Sequence, residues 1–108
     1  MTTDNLKEIF ELQEYFQKKL NNNVESQEYI KIMILASIDE LMEMLHETPW
    51  KPWKKNQTFN KENFKNEYID LFHFVINLGL SCGFDSDSLT ELFKRKHKLN
   101  NQRQKENY

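Results

Sequence analysis

Glycine and proline together occupy only four of the 108 positions, against about 12% of residues in average proteins. Sandwiches, barrels and doubly wound sheets need many turns of the kind that these residues form. Their scarcity argues against those architectures and predicts an all-α fold. A chain of this length fits one domain, here residues 1–108, and a domain this small hides only about 60 to 70% of its unfolded surface. We therefore also expect it to be oligomeric.

The charge and cysteine content narrow the classes of protein further. Fifteen Lys and Arg against 17 Asp and Glu give a net charge of −2, which argues against a sequence-independent nucleic-acid binder. Cys82 is the only cysteine, which suits a reducing compartment. No apolar run approaches the roughly 20 residues that span a bilayer. We expect a cytoplasmic protein, and the preference for Lys over Arg is typical of an AT-rich genome, such as that of a low-GC bacterium or its phage.

Apolar periodicity predicts four helices, over residues 5–20, 27–47 and 61–81 and from residue 86 onward. Ser26 and Asn60 are suitable N-caps, and Pro49 ends the second helix. Gly83 suits a left-handed residue after the third. The expected fold is a compact four- to five-helix bundle, in which the highly apolar second and third helices are buried on several sides.

Two pairs of carboxylates do not fit a plain bundle. Glu40 and Glu43 are three residues apart in the second helix, and Glu67 and Asp70 are three apart in the third, so each pair shares a helix face. No Lys or Arg lies between residues 32 and 47 or between 66 and 80 to neutralise them. Mg²⁺ or Mn²⁺ would do so, since hard cations prefer carboxylate oxygens. The alternative is that these acids lie on solvent-exposed edges of the two helices.

Other polar and aromatic residues admit two interpretations each. His73 is either a further ligand or a neutral histidine within the bundle. Trp50 and Trp53, in the loop after the second helix, either pack over its edge or stack on a base with a nearby lysine such as Lys54. Asn77 is an amide among apolar neighbours that binds either a base or the backbone.

The C-terminal segment has a physical interpretation of its own. Lys96, Asn100 and Arg103 recur at i, i+4 and i+7, so a helix would align them on one face that holds phosphates. The alternative is a frayed polar terminus.

The motif Glu40-x-x-Glu43, 23 residues and then Glu67-x-x-Asp70 resembles the metal-binding signature of the all-α NTP pyrophosphatases, which include MazG-like enzymes, dCTP pyrophosphatases and dimeric dUTPases. The loop around Trp50 to Lys54, the His-Phe pair after Asp70 and the spacing of the C-terminal polar residues are similar to the dimeric dUTPase branch. The resemblance implies Mg²⁺-dependent hydrolysis of dUTP to dUMP and pyrophosphate, by water attack on the α-phosphorus.

The resemblance also implies roles for individual residues. Two or more metal ions would be held by the four carboxylates, and Glu43 would orient or deprotonate the water. Lys96 and Arg103 would stabilise the negative charge on the leaving pyrophosphate. The substrate-binding set implied by resemblance and position is Gln13, Trp53, Lys54, Asn77, Lys96, Asn100, Arg103 and Tyr108.

Several alternatives stay open at this point. The base could be that of dCTP, or the activity could be broader and MazG-like. A non-catalytic helical protein that binds a partner through residues 50–55 is a third interpretation. The expected assembly is a homodimer or homotetramer, and the sequence leaves open whether active sites are shared between chains.

Overall fold

The computed structural model describes residues 4–106, which form four helices and no strand. The helices are α1 (Asn5–Lys19), α2 (Gln27–His46), α3 (Lys61–Ser81) and α4 (Ser86–Lys105). The all-α class is confirmed, and each helix lies where the apolar periodicity predicts it. Within the described part of the chain, no helix is both long and apolar enough to cross a membrane.

Side-chain caps fix the helix ends. Ser26 accepts a hydrogen bond from the Tyr29 backbone N–H at 3.1 Å, and Asn60 caps α3 in the same way. Asp85 and Ser88 form a reciprocal capping box at the start of α4. Gly83 has φ of +78°, the left-handed conformation predicted for the residue after α3. These caps explain why the sequence located the helix boundaries well.

α2 and α3 form the most extensive helix pair, an antiparallel hairpin closed by the loop at residues 47–60. The Asn60 backbone N–H donates to the Glu47 carbonyl at 2.9 Å, which ties the two ends of the loop together. Further along the pair, the Asn77 amide nitrogen lies 3.6 Å from the Met33 sulfur. These two contacts set the register that determines which acidic residues meet.

α1 packs against α3, and α4 makes its principal contacts with α1. Phe10 of α1 is buried and lies against Gly79 of α3, where an added Cβ would come within 3.3 Å of the Phe10 ring. The Gly79 position thus allows close approach of the two helices. Gln13, one turn along α1, donates a hydrogen bond to Asn77 of α3 at 2.8 Å.

The core of the single chain is thin. Among the described residues, only Phe10, Tyr29 and Ile76 are buried hydrophobic side chains. The prediction that α2 is buried on several sides is wrong for one chain, because α2 packs mainly against α3 and leaves its other faces in solvent. The exposed large apolar side chains of α2 are Ile32, Ile34, Leu35, Ile38, Leu41 and Met42.

Candidate active site

Three carboxylates meet between α2 and α3. One oxygen from each of Glu40, Glu67 and Asp70 lies within 4.8 Å of the other two. The hairpin register explains this convergence, since Glu40 lies seven residues before Glu47 and Glu67 lies seven residues after Asn60. Three of the four predicted metal ligands are therefore brought together, and we call them the carboxylate cluster.

The surroundings of Glu40 disfavour its ionisation. Its pKa is raised from 4.5 to about 7, chiefly by loss of hydration. The Glu67 carboxylate, which can share a proton with Glu40, and the negative charge of Asp70 raise the pKa further. The Oε2 atom of Glu40 is shielded from solvent and has no hydrogen-bond partner in the described part of the chain.

A hard divalent cation fits this arrangement. A shielded carboxylate oxygen without a donor must either take up a proton or meet a positive charge. The three side chains offer only carboxylate oxygens, the ligand type that Mg²⁺ and Mn²⁺ prefer. The chemistry of the cluster thus matches the predicted metal site.

Glu43 lies apart from the carboxylate cluster. Its side chain is exposed, and its oxygens do not belong to the group that converges within 4.8 Å. In the hairpin register Glu43 is one turn nearer the loop than Glu40, which places it level with Phe64 rather than with Glu67. Its role as a ligand or as the residue that orients water stays a prediction.

A cleft of about 580 Å³ opens between α1, α2 and α3 beside the cluster. This volume lies within the range of about 300 to 1,000 Å³ that is typical of small-molecule sites. Asp70 belongs to both the cluster and the cleft. The other side chains that line the cleft are Leu12, Gln13, Phe16, Gln17, Leu20, Asn22, Met33, His73, Phe74 and Asn77.

Four amide side chains line this cleft, and two of them, Gln13 and Asn77, are hydrogen-bonded to each other. Asn77 is buried, with 4% of its surface exposed, and its Oδ1 accepts the hydrogen bond from Gln13. The Asn77 amide nitrogen lies 3.6 Å from the Met33 sulfur, which is a weak acceptor. Asp70 and Asn77 are two helical turns apart on one face of α3, about 10 Å along its axis. The cleft thus has an acidic end and an amide end.

His73 lies on the same face of α3, between Asp70 and Asn77. Its Nδ1 is 2.8 Å from the Ile69 carbonyl oxygen. Since a carbonyl only accepts hydrogen bonds, Nδ1 is the donor in this contact. His73 is exposed and lies outside the carboxylate cluster. His73 therefore lines the cleft and is not a member of the cluster.

The loop at residues 47–60 lies at the same end of the hairpin as the cluster, since α2 ends six residues after Glu40. The Gln57 amide bonds to the backbone of Lys51 and Lys54 and holds the loop in shape. The Trp50 and Trp53 rings meet edge to face with centroids 5.7 Å apart. Lys54 lines a shallow cavity of about 440 Å³ in the loop.

Trp53 is 72% exposed. Neither Trp53 nor Lys54 belongs to the carboxylate cluster or lines the cleft beside it. Their roles in substrate binding therefore stay predictions. The exposure of a large aromatic side chain is nevertheless what a base-stacking or partner-binding residue requires.

The C-terminal segment is helical as far as Lys105, so Lys96, Asn100 and Arg103 share one face of α4 as predicted. Lys96 and Asn100 are exposed, and Arg103 is half-buried. No described residue of α4 lines the cleft beside the carboxylate cluster. The predicted substrate ligand Tyr108 lies outside the described residues.

Sequence reasoning missed the apolar walls of the cleft. Phe16, Met33 and Phe74 line it, but their helical spacing is also that of ordinary core residues. The signal that could have identified Phe74 is the row Asp70, Phe74 and Asn77, which lie on one helix face.

The chain is thus an all-α protein with a carboxylate cluster on a helical hairpin, beside a cleft of small-molecule size that is lined by amides. The chain belongs to the dUTPase family, whose sequence model matches residues 5–86. This range contains the cluster and the cleft and ends at the first residue of α4.

A dCTP pyrophosphatase from Enterobacteria phage T4 is 30% identical to the chain over 71 residues. The alignment covers 55% of this chain and 42% of that protein, so the chain spans less than half the length of this relative. No solved structure shows a significant match to the chain.

Proposed function

We propose that the protein is a nucleoside triphosphate pyrophosphohydrolase that converts dUTP to dUMP and pyrophosphate. The observation that carries the proposal is the convergence of Glu40, Glu67 and Asp70 beside the cleft that Asn77 lines. Membership of the dUTPase family supports it.

The cofactor in this proposal is Mg²⁺, with Mn²⁺ as a substitute, held by the carboxylate cluster. When bound, the metal supplies positive charge for the phosphate oxygens and lowers the pKa of a water. The shielded Oε2 of Glu40 supports the proposal, because residues 4–106 offer it no hydrogen-bond partner. Glu43 is proposed to orient or deprotonate the water that attacks the α-phosphorus, and its exposure leaves it free to do so.

The base in this proposal occupies the amide end of the cleft. With Asp70 at one end and Asn77 at the other, a nucleoside fits with its phosphates toward the cluster and its base toward Gln13 and Asn77. The rings of Phe16 and Phe74 provide apolar surface for the base. Trp53, Lys54, Lys96, Asn100, Arg103 and Tyr108 complete the proposed binding set.

The second candidate substrate is dCTP. Gln and Asn side chains each present a donor and an acceptor, so the two amides fit either pyrimidine. The phage relative named a dCTP pyrophosphatase favours this alternative. A broader MazG-like activity would require that the amide end makes no base-specific hydrogen bonds.

A panel of nucleotides separates these substrates. Purified protein is incubated with dUTP, dCTP, dTTP, UTP and dATP, with and without Mg²⁺, and pyrophosphate release is measured. We expect turnover only with Mg²⁺ and fastest with dUTP. Fastest release from dCTP would support the second candidate, and equal rates would support a broad activity. No release from any nucleotide would defeat the proposal in favour of a non-catalytic protein that binds a partner through residues 50–55.

The proposed assembly is a homodimer, with a homotetramer as the alternative. The single chain exposes 8,994 Å², whereas a compact monomer of 13.2 kDa exposes about 6,400 Å². Its radius of gyration is 17.4 Å, against about 13 Å for a compact domain of this length. A second copy packed on the exposed apolar surface of α2 would bury this excess surface. Because nucleoside triphosphates are intracellular metabolites, the proposal also implies a cytoplasmic location.

A further inference from the structure

The amide end of the cleft holds a second group of hydrogen-bonded side chains, centred on Gln17. This residue is buried, with 5% of its surface exposed, and it lies one turn after Gln13 in α1. Its Oε1 accepts hydrogen bonds from the Tyr29 hydroxyl at 2.9 Å and from the Asn22 amide at 2.7 Å. Because both of these bonds end on the oxygen, the Nε2 donor is the polar atom of Gln17 that remains for a molecule in the cleft.

The hydrogen bond between Gln13 and Asn77 gives this pair of amides a polarity. Gln13 uses its Nε2 to donate to the Asn77 Oδ1 at 2.8 Å, so the Gln13 Oε1 acceptor and the Asn77 Nδ2 donor remain for a base. If one amide alone turned over, two oxygens or two nitrogens would face each other. The pair therefore has two orientations, the observed one and one in which both amides are reversed.

Met33 distinguishes the two orientations of the pair. Its sulfur lies 3.6 Å from the Asn77 Nδ2, and a thioether accepts hydrogen bonds weakly but does not donate them. In the reversed pair the Asn77 Oδ1 would face this sulfur, and neither atom could donate. Because Asn77 is buried, water has little access to relieve such a contact. Met33 thus favours the observed orientation, in which Gln13 presents its oxygen.

The remaining amide atoms complement uracil better than cytosine. Gln13 is the neighbour of both other amides, since Gln17 is on the next turn of α1, about 6 Å along its axis, and Asn77 is its hydrogen-bond partner. The three residues thus offer a donor, an acceptor and a donor. Uracil presents an acceptor, a donor and an acceptor at O2, N3 and O4. Cytosine has an acceptor at N3 and an amino donor at position 4, so it would set acceptor against acceptor at Gln13 and donor against donor at Asn77.

We propose that Met33 is a positioning residue that makes the pocket select uracil over cytosine, by holding Asn77 and Gln13 in the observed orientation. The inference rests on the proposed function, because it requires a pyrimidine at the amide end of the cleft. Tyr29 has a different role in this arrangement. It holds Gln17 as a donor for O2, which both pyrimidines carry, and so it contributes to the affinity for either base without discriminating between them.

Met33→Leu tests the proposed role of the sulfur, because it removes the acceptor and nearly conserves the side-chain volume. Without the acceptor the reversed orientation is less disfavoured, and dCTP gains relative to dUTP. We expect the ratio of kcat/KM for dUTP to that for dCTP to fall about fivefold, mainly through KM. Met44→Leu is the matched control, since Met44 is also half-buried in α2 but does not line the cleft. It should keep the wild-type ratio.

Tyr29→Phe separates discrimination from a general loosening of the cleft. The substitution removes the hydroxyl that donates to Gln17, so we expect KM to rise by the same factor for dUTP and dCTP and their ratio to stay that of the wild type. Tyr15→Phe, at a position that is 71% exposed, should change neither value. An unchanged ratio in Met33→Leu, or an equal fall of the ratio in Met33→Leu and Tyr29→Phe, would overturn the proposal.

A binding measurement does not depend on turnover. Titration calorimetry without Mg²⁺ gives the affinities of dUMP and dCMP for the wild type, Met33→Leu and Met44→Leu. We expect dUMP to bind more tightly than dCMP to the wild type and to Met44→Leu, and we expect the difference to narrow in Met33→Leu. Binding of dCMP to the wild type that is as tight as that of dUMP, or tighter, would overturn the proposal.

The two readouts also separate failure of this inference from failure of the proposed function. A protein that hydrolyses no nucleotide, but binds dUMP selectively in a way that Met33→Leu weakens, would refute the enzyme proposal and keep the role of Met33. Hydrolysis with the same preference between dUTP and dCTP in the wild type and in Met33→Leu would keep the enzyme and refute the role of Met33.

Discussion

At the scale of single residues, Glu40 has the environment that most clearly departs from that of an ordinary surface acid. Its carboxyl is poorly hydrated and faces two other carboxylates, and its pKa is about 7. Without metal, about half of the folded molecules therefore carry a proton on Glu40 at pH 7. A loss of stability at such a position is expected where carboxylates are gathered at a functional site, as the proposed function requires.

The raised pKa makes the stability of the metal-free protein depend on pH. Between pH 4.5 and pH 7 the folded state holds a proton on Glu40 that the unfolded state releases, so the free energy of unfolding falls as pH rises through this range. Glu40→Gln stays neutral throughout. We expect this variant to be more stable than wild type at pH 8 in EDTA and to have a flatter pH profile, as measured by urea unfolding at pH 5, 6, 7 and 8.

Glu43→Gln is the matched control for this experiment, because Glu43 is exposed on the same helix and lies outside the cluster. It should retain the wild-type slope between pH 5 and pH 8. A Glu40→Gln variant with the same slope as wild type would show that Glu40 ionises normally in the folded protein.

The hydrogen bond between Gln13 and Asn77 is the second residue-scale feature with a measurable consequence. Gln13→Ala leaves the Oδ1 of buried Asn77 without its donor, and an unsatisfied buried polar group costs about 1–3 kcal/mol. We expect urea unfolding to show this decrease in the free energy of unfolding. We also expect the KM for dUTP to rise at least fivefold. Glu11→Ala, at an exposed position of α1, should change neither value. An unaltered KM in Gln13→Ala would remove Gln13 from the proposed base pocket.

At the scale of elements, the α2–α3 hairpin creates the site. The bond from Asn60 to Glu47 sets a register in which Glu40 lies opposite Glu67, and Asn60 also caps α3. Asn60→Ala should therefore destabilise the fold by about 1 kcal/mol through loss of the cap. Asn63→Ala, one turn into the same helix, serves as the control, and urea unfolding measures both. Equal stability of the two variants would argue that the cap contributes little.

The helices were predictable because their ends carry local signals. Ser26, Asn60 and Gly83 act through their own backbone or through the next turn, so the sequence alone located them. The pairing of Glu40 with Glu67 was predictable as a convergence of two acidic pairs. The separation of Glu43 from the cluster was not predictable, because it depends on the register of the hairpin. Contacts between residues far apart in the sequence determine that register, one between the loop ends and one between the two helices.

The apolar content of α2 predicts burial on several sides, but the sequence does not tell what covers those sides, for a physical reason. A helix that is apolar on several faces must bury them somewhere, but periodicity does not tell whether the covering surface belongs to the same chain or to another. The exposure of Leu35 and Ile38 shows that α1, α3 and α4 of the same chain do not cover these faces.

At the scale of the whole molecule, the excess surface predicts that the protein is not a monomer in solution. Sedimentation equilibrium should give a mass of at least twice 13.2 kDa. Leu35→Asp places a charge on the most exposed apolar residue of α2 and should shift the protein toward monomer, because the charge would have to be desolvated in the interface. Lys19→Asp at the exposed end of α1 should leave the mass unchanged. A monomeric wild-type protein would contradict this prediction.

Binding of Mn²⁺, followed by electron paramagnetic resonance without any nucleotide, tests the central claim most directly, since it asks whether the carboxylate cluster holds a divalent cation. We predict that wild-type protein binds Mn²⁺, that Glu67→Gln weakens the affinity at least tenfold, and that Glu62→Gln, at an exposed position five residues earlier in α3, does not. Equal Mn²⁺ affinity in the wild type and Glu67→Gln would contradict the account.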